Sequence, residues 1–311
     1  MHSVIRILKM RNLADVSKGE QREFFKSFDY VMSDMDGVIW TKYQVHKGAA
    51  DCLNALKSMG KRVHYVTNNS IAKSEDLAKL LRLNKFDAKD EDVTNPQHTV
   101  IDHLKEKRFE GTLYAMVTEN VRAQIRNAGF TVAPPPEYPI EESIEAMTKY
   151  LQDDPNVKAI LTGINFNMTF LELQKALMYL KREDCSFFTC GTDMEIPIGP
   201  IGPLIGTGRF TEILSSISNR KPINIAKPSL LSCAHVNKKL GIQKPNRALF
   251  IGDYISQDMQ MAAMGGYQKL LVLSGHAKLK DLENWRHPEE WKPQYYIEDL
   301  NTLYQIIKEL D

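Results

Sequence analysis

Two aspartates, Asp34 and Asp36, stand one residue apart in Tyr30-Val31-Met32-Ser33-Asp34-Met35-Asp36-Gly37-Val38-Ile39-Trp40, where a β-prone run passes into a glycine-containing turn. In extended backbone, residues i and i+2 point to the same side, so both carboxylates are expected to face one small volume beyond the strand's carboxyl end. Open α/β sheets bind their ligands there. Such a pair can collect a hard dication, or divide labour as nucleophile and general acid. Taken alone, Asp-x-Asp-Gly is also what an ordinary surface turn looks like.

Three further strand-like runs end in residues suited to phosphate chemistry: Arg62–Val66 into Thr67-Asn68-Asn69-Ser70, Ile223–Ala226 into Lys227-Pro228-Ser229, and Ala248–Ile251 into Gly252-Asp253. A phosphate monoester dianion above these strand ends would repel an attacking carboxylate unless positive charge is held nearby. Mg²⁺ supported by Asp34, Asp253 and the backbone carbonyl of Asp36 would offset that repulsion. Lys227 supplies a second cation, and Thr67 with nearby backbone amides can donate to the remaining phosphoryl oxygens. Asp34 is then the nucleophile and Asp36 the acid and base. Asp258, five residues beyond Asp253, is expected to orient the metal shell by hydrogen bonds rather than to bind the ion.

The elements that must position these residues show in the hydrophobic rhythm. Ala49, Cys52, Leu53, Leu56 and Met59 predict a helix over 48–59; Leu77, Leu80 and Leu81 predict another over 73–83, with Ser70 as its cap. Strand and helix alternate again from Ile223: a helix over 229–240, a strand over 248–251, a helix over 256–264 and a strand over 269–273. Alternation of this kind predicts an α/β fold with a mainly parallel, Rossmann-like sheet. Between them lie predicted strands over 112–117, 157–161 and 185–189 and helices over 119–127 and 169–180. The expected organisation is a discontinuous core, 1–109 and 221–311, with an α/β domain inserted at 110–220.

The chain has 311 residues, of which 43% are hydrophobic, enough for two cores. Forty basic residues against 39 acidic leave a formal charge of +1, which argues against an extended nucleic-acid face. No apolar stretch is long enough to span a bilayer, so no membrane partner is expected. Cys52, Cys185, Cys190 and Cys233 form no Cys-x-x-Cys pair and are expected as reduced thiols, consistent with a cytoplasmic protein. Met1–Arg11, basic and without acids, predicts a disordered or docking tail in preference to an organelle presequence. Ala133–Pro139, with four prolines, is expected as a rigid loop, and Trp285 and Trp291 as parts of a packed surface loop.

Asp34-Met35-Asp36-Gly37, Thr67-Asn68-Asn69, Lys227-Pro228-Ser229 and Gly252-Asp253-x-x-x-x-Asp258 resemble the four signatures of the haloacid dehalogenase (HAD) phosphatases. The Gly37-Val38-Ile39-Trp40 continuation and the double Asn are similar to the branch with a large α/β cap after the second signature, the p-nitrophenylphosphatase, phosphoglycolate/glycerol-3-phosphate and pyridoxal phosphatase group. That resemblance implies a Mg²⁺-dependent phosphatase acting on a small phosphorylated metabolite through an aspartyl-phosphate, with pairing of two copies through the cap. It implies Asp34, Asp36 and Asp253 as metal ligands, and Gly37, Thr67, Asn68, Asn69 and Lys227 as phosphate- and substrate-binding positions. The cap segment that faces substrate in the family corresponds to Gly191-Thr192-Asp193-Met194-Glu195, where Thr192, Asp193 and Glu195 are the specificity candidates and Asp193 replaces an amide by a carboxylate. Ala226, Tyr254 and Ser256 also depart from the family pattern, Tyr254 where a cation is common and Ser256 where a carboxylate is. Dephosphorylation of a protein residue, phosphoryl transfer between sugars, and binding of phosphometabolites without turnover are the competing readings.

Overall fold

A computed structural model describes residues 10–136, 139–196 and 202–310. Its largest sheet has seven strands in the order Arg11–Asn12, Tyr295–Ile297, Gln268–Val272, Ala248–Gly252, Tyr30–Ser33, Arg62–Val66 and Val93–Thr94. Every neighbouring pair in it is parallel. Val31, Met32, Leu249, Phe250, Ile251, Leu270 and Leu271 are all fully buried, as a parallel sheet with both faces covered demands. The helix Leu230–Leu240 contributes Cys233, Val236 and Leu240 to one core cluster around Met32 and Phe250. Ala49–Ser58 packs against Leu300–Leu310, burying Leu53, Leu56, Leu300 and Leu303.

A second sheet has five strands in the order Ile223–Asn224, Ser186–Thr189, Val157–Thr162, Thr112–Met116 and Thr131–Val132, again all parallel. Tyr114, Met116, Ile160, Phe187 and Leu214 form its core with the helix Phe170–Leu180. Thr169 starts that helix with a capping box, its side chain and that of Glu172 satisfying each other's backbone N–H groups. The chain divides into two compact units: one takes the described residues of Met1–Thr67, Ser74–Thr94 and Lys227–Asp311, the other Asn68–Lys73 and Asn95–Ala226. The α/β class with parallel sheets is therefore what the alternation of elements predicts.

Four local expectations are corrected. Ile223–Asn224 does not join the large sheet; it pairs with Ser186–Thr189 in the second one, so Lys227 follows a crossing segment rather than a core strand. Ser70 does not cap the next helix, which begins at Ser74; the Ser70 carbonyl instead accepts from Gln97 Nε2 at 3.2 Å within the second unit. The helix expected over 256–264 is a π-helical turn, Ile255–Met259, followed by a short α-helix, Gln260–Gly265. Finally, the strand before the aspartate pair ends at Ser33, so Asp36 lies in a turn and strand alternation no longer governs where it points.

The four cysteines are buried and unbridged. Trp285 and Trp291 pack, partly buried, against Ile255, Met259 and Leu282. Of the basic N-terminal stretch, Met1–Lys9 lie outside the described residues, and Arg11 already belongs to a strand. Ala133–Pro136 are irregular in backbone, while Glu137 and Tyr138 of the proline-rich patch lie outside the described residues. Among the described residues no helix is long and apolar enough to cross a membrane.

Candidate active site

The carboxyl ends of Tyr30–Ser33 and Ala248–Gly252 lie side by side, Ser33 opposite Ile251, and deliver Asp34 and Asp253 to one place. The Asp34 N–H donates to the Ile251 carbonyl at 2.9 Å, which extends the strand pairing by one residue and fixes the side chain's origin. Asp34, Asp253 and Asp258 offer carboxylate oxygens that all lie within 4.8 Å of one another, each residue buried. Lys227 Nζ sits among them, 2.6 Å from Asp34 Oδ1 and 2.8 Å from Asp258 Oδ1. Its ammonium is also 5.6 Å from the centre of the Phe250 ring. Ser229 caps the helix Leu230–Leu240 just beyond, its side chain accepting from Ser232 N at 3.0 Å.

Asp258 commits both oxygens. Oδ1 takes the lysine, and Oδ2 accepts the backbone N–H groups of Asp253 at 3.1 Å and Tyr254 at 3.0 Å. This fold-back explains the π-helical turn, a feature that clusters at functional sites. It also explains Gly252: a Cβ there would lie 2.2 Å from Asp258 Cβ.

Asp253 is held from the next strand-end loop. His276 N donates to its Oδ2 at 2.6 Å, and Ala277 N to its carbonyl at 2.9 Å. A Cβ at Gly275 would stand 2.0 Å from Asp253 Oδ2, and one at Gly37 2.4 Å from the same atom. Gly37 has a φ of +89°, so both its space and its backbone conformation call for glycine. Ser274 Oγ donates to the Gly37 carbonyl at 2.8 Å, tying this loop to the Asp36 turn.

Asp36 directs its carboxylate differently. Trp40 Nε1 donates to Asp36 Oδ1 at 3.0 Å, and Thr67 hydrogen-bonds it as well. Thr67 is buried, its backbone N–H paired with the Thr94 carbonyl at 3.0 Å. Asn68 and Asn69 belong to the second unit, where Asn69 Oδ1 accepts from Ile71 N at 3.0 Å and Ala72 N at 3.1 Å. Thr192, Asp193 and Glu195 also belong to that unit. There the Asp193 carbonyl accepts from Gly208 N at 2.8 Å, and a Cβ at Gly206 would lie 2.1 Å from it, so glycines seat this loop on the start of the helix Thr207–Ser218. Asp193 is half-buried; Thr192 and Glu195 are exposed.

Electrostatically the cluster carries three carboxylates against one ammonium. Burial pushes the Asp34 carboxyl well above its ordinary range, the lysine opposes this, and the Asp258 and Asp253 charges add to it. Asp253 is pushed up to about 7, first by burial and then by Asp258, with the His276 N–H pulling the other way. Burial works against the charge on Lys227, but Asp258 and Asp34 outweigh it and hold the amine above its ordinary value. Asp36 is raised by loss of surrounding water and restrained by the Trp40 N–H, Lys227 and Thr67. A dication suits such a set: the donors are hard carboxylate oxygens, and they hold excess negative charge in a buried place.

Sequence reasoning missed Trp40 as a partner of Asp36, and it missed the loop Ser274–Ala277. The signal for the loop was present: Gln268–Val272 is a further strand ending in a polar turn, and in the sheet it lies beside Ala248–Gly252.

Residues 31–131 match the family model of haloacid dehalogenase-like hydrolases, and residues 224–303 match a HAD-hydrolase-like model. Phosphoglycolate phosphatase 2 of Arabidopsis thaliana is 24% identical over 94% of this chain and 98% of its own length. Human glycerol-3-phosphate phosphatase is 25% identical over 90% and 91%, and the 4-nitrophenylphosphatase of Schizosaccharomyces pombe 27% identical over 92% and 97%. Among solved structures, the 4-nitrophenylphosphatase of Thermotoga maritima superposes with a TM-score of 0.76 at 22% identity, over 90% of this chain and 98% of that one, which carries the fold. The chain belongs to the haloacid dehalogenase-like hydrolases. Within them it is a HAD-type phosphatase, a phosphoric monoester hydrolase.

Proposed function

We propose that the chain hydrolyses small phosphate monoesters with Mg²⁺ through an aspartyl-phosphate on Asp34. The observation that carries this reading is the meeting of Lys227 Nζ with Asp34 Oδ1 at 2.6 Å beside Asp253 and Asp258. A carboxylate can attack a phosphate dianion only where positive charge offsets their repulsion, and the buried ammonium is placed to do so. Asp34, Asp253 and the backbone carbonyl of Asp36 would hold Mg²⁺, which when bound supplies electrostatic stabilisation of the phosphoryl oxygens. Asp258, with both oxygens given to N–H donors, positions Lys227 and the Asp253 loop.

In the first step an Asp34 oxygen bonds to phosphorus, the ester P–O bond breaks, and the departing alkoxide takes the proton of Asp36. In the second, water loses a proton to Asp36 as its oxygen bonds to phosphorus, the acyl P–O bond breaks, and inorganic phosphate leaves. Desolvation of Asp36 favours the protonated form that the first step needs. Thr67 and Gly37 border the phosphate position, and Asn68 and Asn69 follow Thr67 directly in the chain. By its likeness to the relatives, the inserted stretch would serve as the cap that selects the leaving group, with Thr192, Asp193 and Glu195 as the residues that read it. Phosphoglycolate, glycerol 3-phosphate, pyridoxal phosphate and p-nitrophenyl phosphate define the substrate class; the names of the relatives support phosphoglycolate, glycerol 3-phosphate and p-nitrophenyl phosphate. The test is phosphate release from such a panel with and without Mg²⁺, together with acid-quench mass spectrometry for phosphate on Asp34. Turnover that persists in Asp34→Asn, or that needs no divalent ion, would defeat the proposal.

A further inference from the structure

The acid Asp253 reaches the cluster from a loop, and nothing in a loop's own backbone fixes a carboxylate to within the few tenths of an ångström that a dication requires. The neighbouring loop, Ser274–Ala277, does much of that holding. It donates two backbone N–H groups to Asp253, from His276 to the side chain and from Ala277 to the carbonyl, and it fits Gly275 against the carboxylate. These bonds work only while the two loops stay in register. The side chains that follow Asp253 and Gly275 supply a lock: the rings of Tyr254 and His276 stack with centroids 3.9 Å apart and planes 19° from parallel. Tyr254 is half-buried and His276 largely exposed, so the stack forms on the solvent side of the acid. Tyr254 is fixed from below as well, because its N–H donates to Asp258 Oδ2 at 3.0 Å. The stacked pair thus joins the residue after one carboxylate to the residue whose N–H holds it.

We propose that Tyr254 and His276 are positioning residues for the dication: their ring stack clips the Asp253 loop to the Ser274–Ala277 loop and sets the orientation of the Asp253 carboxylate. This rests on the Mg²⁺-phosphatase reading above. Neither ring is required to touch the ion or the substrate. What the stack supplies is preorganisation, so its loss falls on metal affinity rather than on the chemical step. A platform for an aromatic leaving group is the competing use of two stacked rings, and it would show in substrate KM.

The test is calorimetric titration of the full chain with MgCl₂ in the absence of substrate, paired with kinetics at saturating Mg²⁺. Tyr254→Leu and His276→Leu should each weaken Mg²⁺ binding about tenfold, the lower end of what losing a group that orients a metal ligand costs. The double variant should be no weaker than either single one, because either change already removes the whole stack. Tyr254→Phe and His276→Phe, which keep two rings, should bind Mg²⁺ as the unaltered chain does, and they carry the test if a leucine variant does not fold. Unchanged Mg²⁺ affinity in the leucine variants, or a loss that appears only in KM for aromatic esters, overturns the inference alone. An unaltered chain that takes up no Mg²⁺ and releases no phosphate overturns the underlying reading with it.

Discussion

Lys227 and Asp258 form a buried ion pair, Nζ to Oδ1 2.8 Å, with side chains 2% and 0% exposed. The same ammonium reaches Asp34 at 2.6 Å, so one cation is shared between the proposed nucleophile and a residue that also organises the Asp253 loop. Removing Lys227 therefore leaves two or more desolvated carboxylates facing one another, whereas removing the charge of Asp34 relieves the excess.

The two substitutions should separate activity from stability. Lys227→Met is expected to abolish turnover and to cost about 3–5 kcal/mol of stability, the usual consequence of breaking a buried pair from one side. Asp34→Asn should abolish turnover equally but leave the metal-free melting temperature unchanged or raised. Phosphate release with Mg²⁺ and thermal melts without it, on both variants, check this; a destabilised Asp34→Asn contradicts this charge balance.

Trp40 gives the second prediction. Its indole N–H restrains the upward pull on the Asp36 pKa, so Trp40→Phe should move the limb of the pH–rate profile that reports Asp36 to higher pH. Asp36→Asn should cost about 10²–10⁴-fold in kcat on an alkyl phosphate, the span of general acid catalysis, and less on p-nitrophenyl phosphate, whose leaving group needs little help from an acid. Equal losses on both esters would remove Asp36 from the role of acid.

How far these residues were visible in the sequence follows from what placed them. Asp34 and Asp253 were legible because each sits one residue past a hydrophobic run that becomes a buried parallel strand, Tyr30–Ser33 and Ala248–Gly252. Lys227 was legible as a residue type but not as a position: the run before it pairs in the other sheet, and no local pattern distinguishes the strands of two parallel sheets. Asp258 was legible as a residue that orients its neighbours by hydrogen bonds, but on an expected α-helix; its two-sided hydrogen bonding arises from a π-helical turn that hydrophobic spacing does not reveal. Trp40 looks like core and is fully buried, yet one edge of its indole serves Asp36.

Metal and proton should compete at Asp253. In the folded protein without metal its carboxyl keeps a proton up to about pH 7, whereas in the unfolded chain it loses that proton near the ordinary value of 3.8. Between these values the folded state binds the extra proton, so this contribution to stability is complete below pH 4 and is lost as pH rises to 7, at most about 1.4 kcal/mol per pH unit. Mg²⁺ needs the deprotonated form, so its stabilising effect should be larger at pH 8 than at pH 6. Melting curves at both pH values, with and without MgCl₂ and with Asp253→Asn as reference, check the sign. A Mg²⁺-induced shift that is greater at pH 6 would show that Asp253 does not face the ion.

Asp193 tests what the cap reads. Its backbone is seated against Gly206 and Gly208, and Asp193→Asn keeps the side chain's size and shape, so the exchange should leave the fold of the second unit intact. If the Asp193 carboxylate meets the leaving group, it disfavours anionic esters such as phosphoglycolate and favours those that carry an amine or additional hydroxyls. Neutralising it should then raise kcat/KM for phosphoglycolate relative to glycerol 3-phosphate by about tenfold, the effect of removing roughly 1.4 kcal/mol of like-charge repulsion. Relative rates across the panel that do not move would place selectivity elsewhere, with Thr192 and Glu195 the next positions to vary.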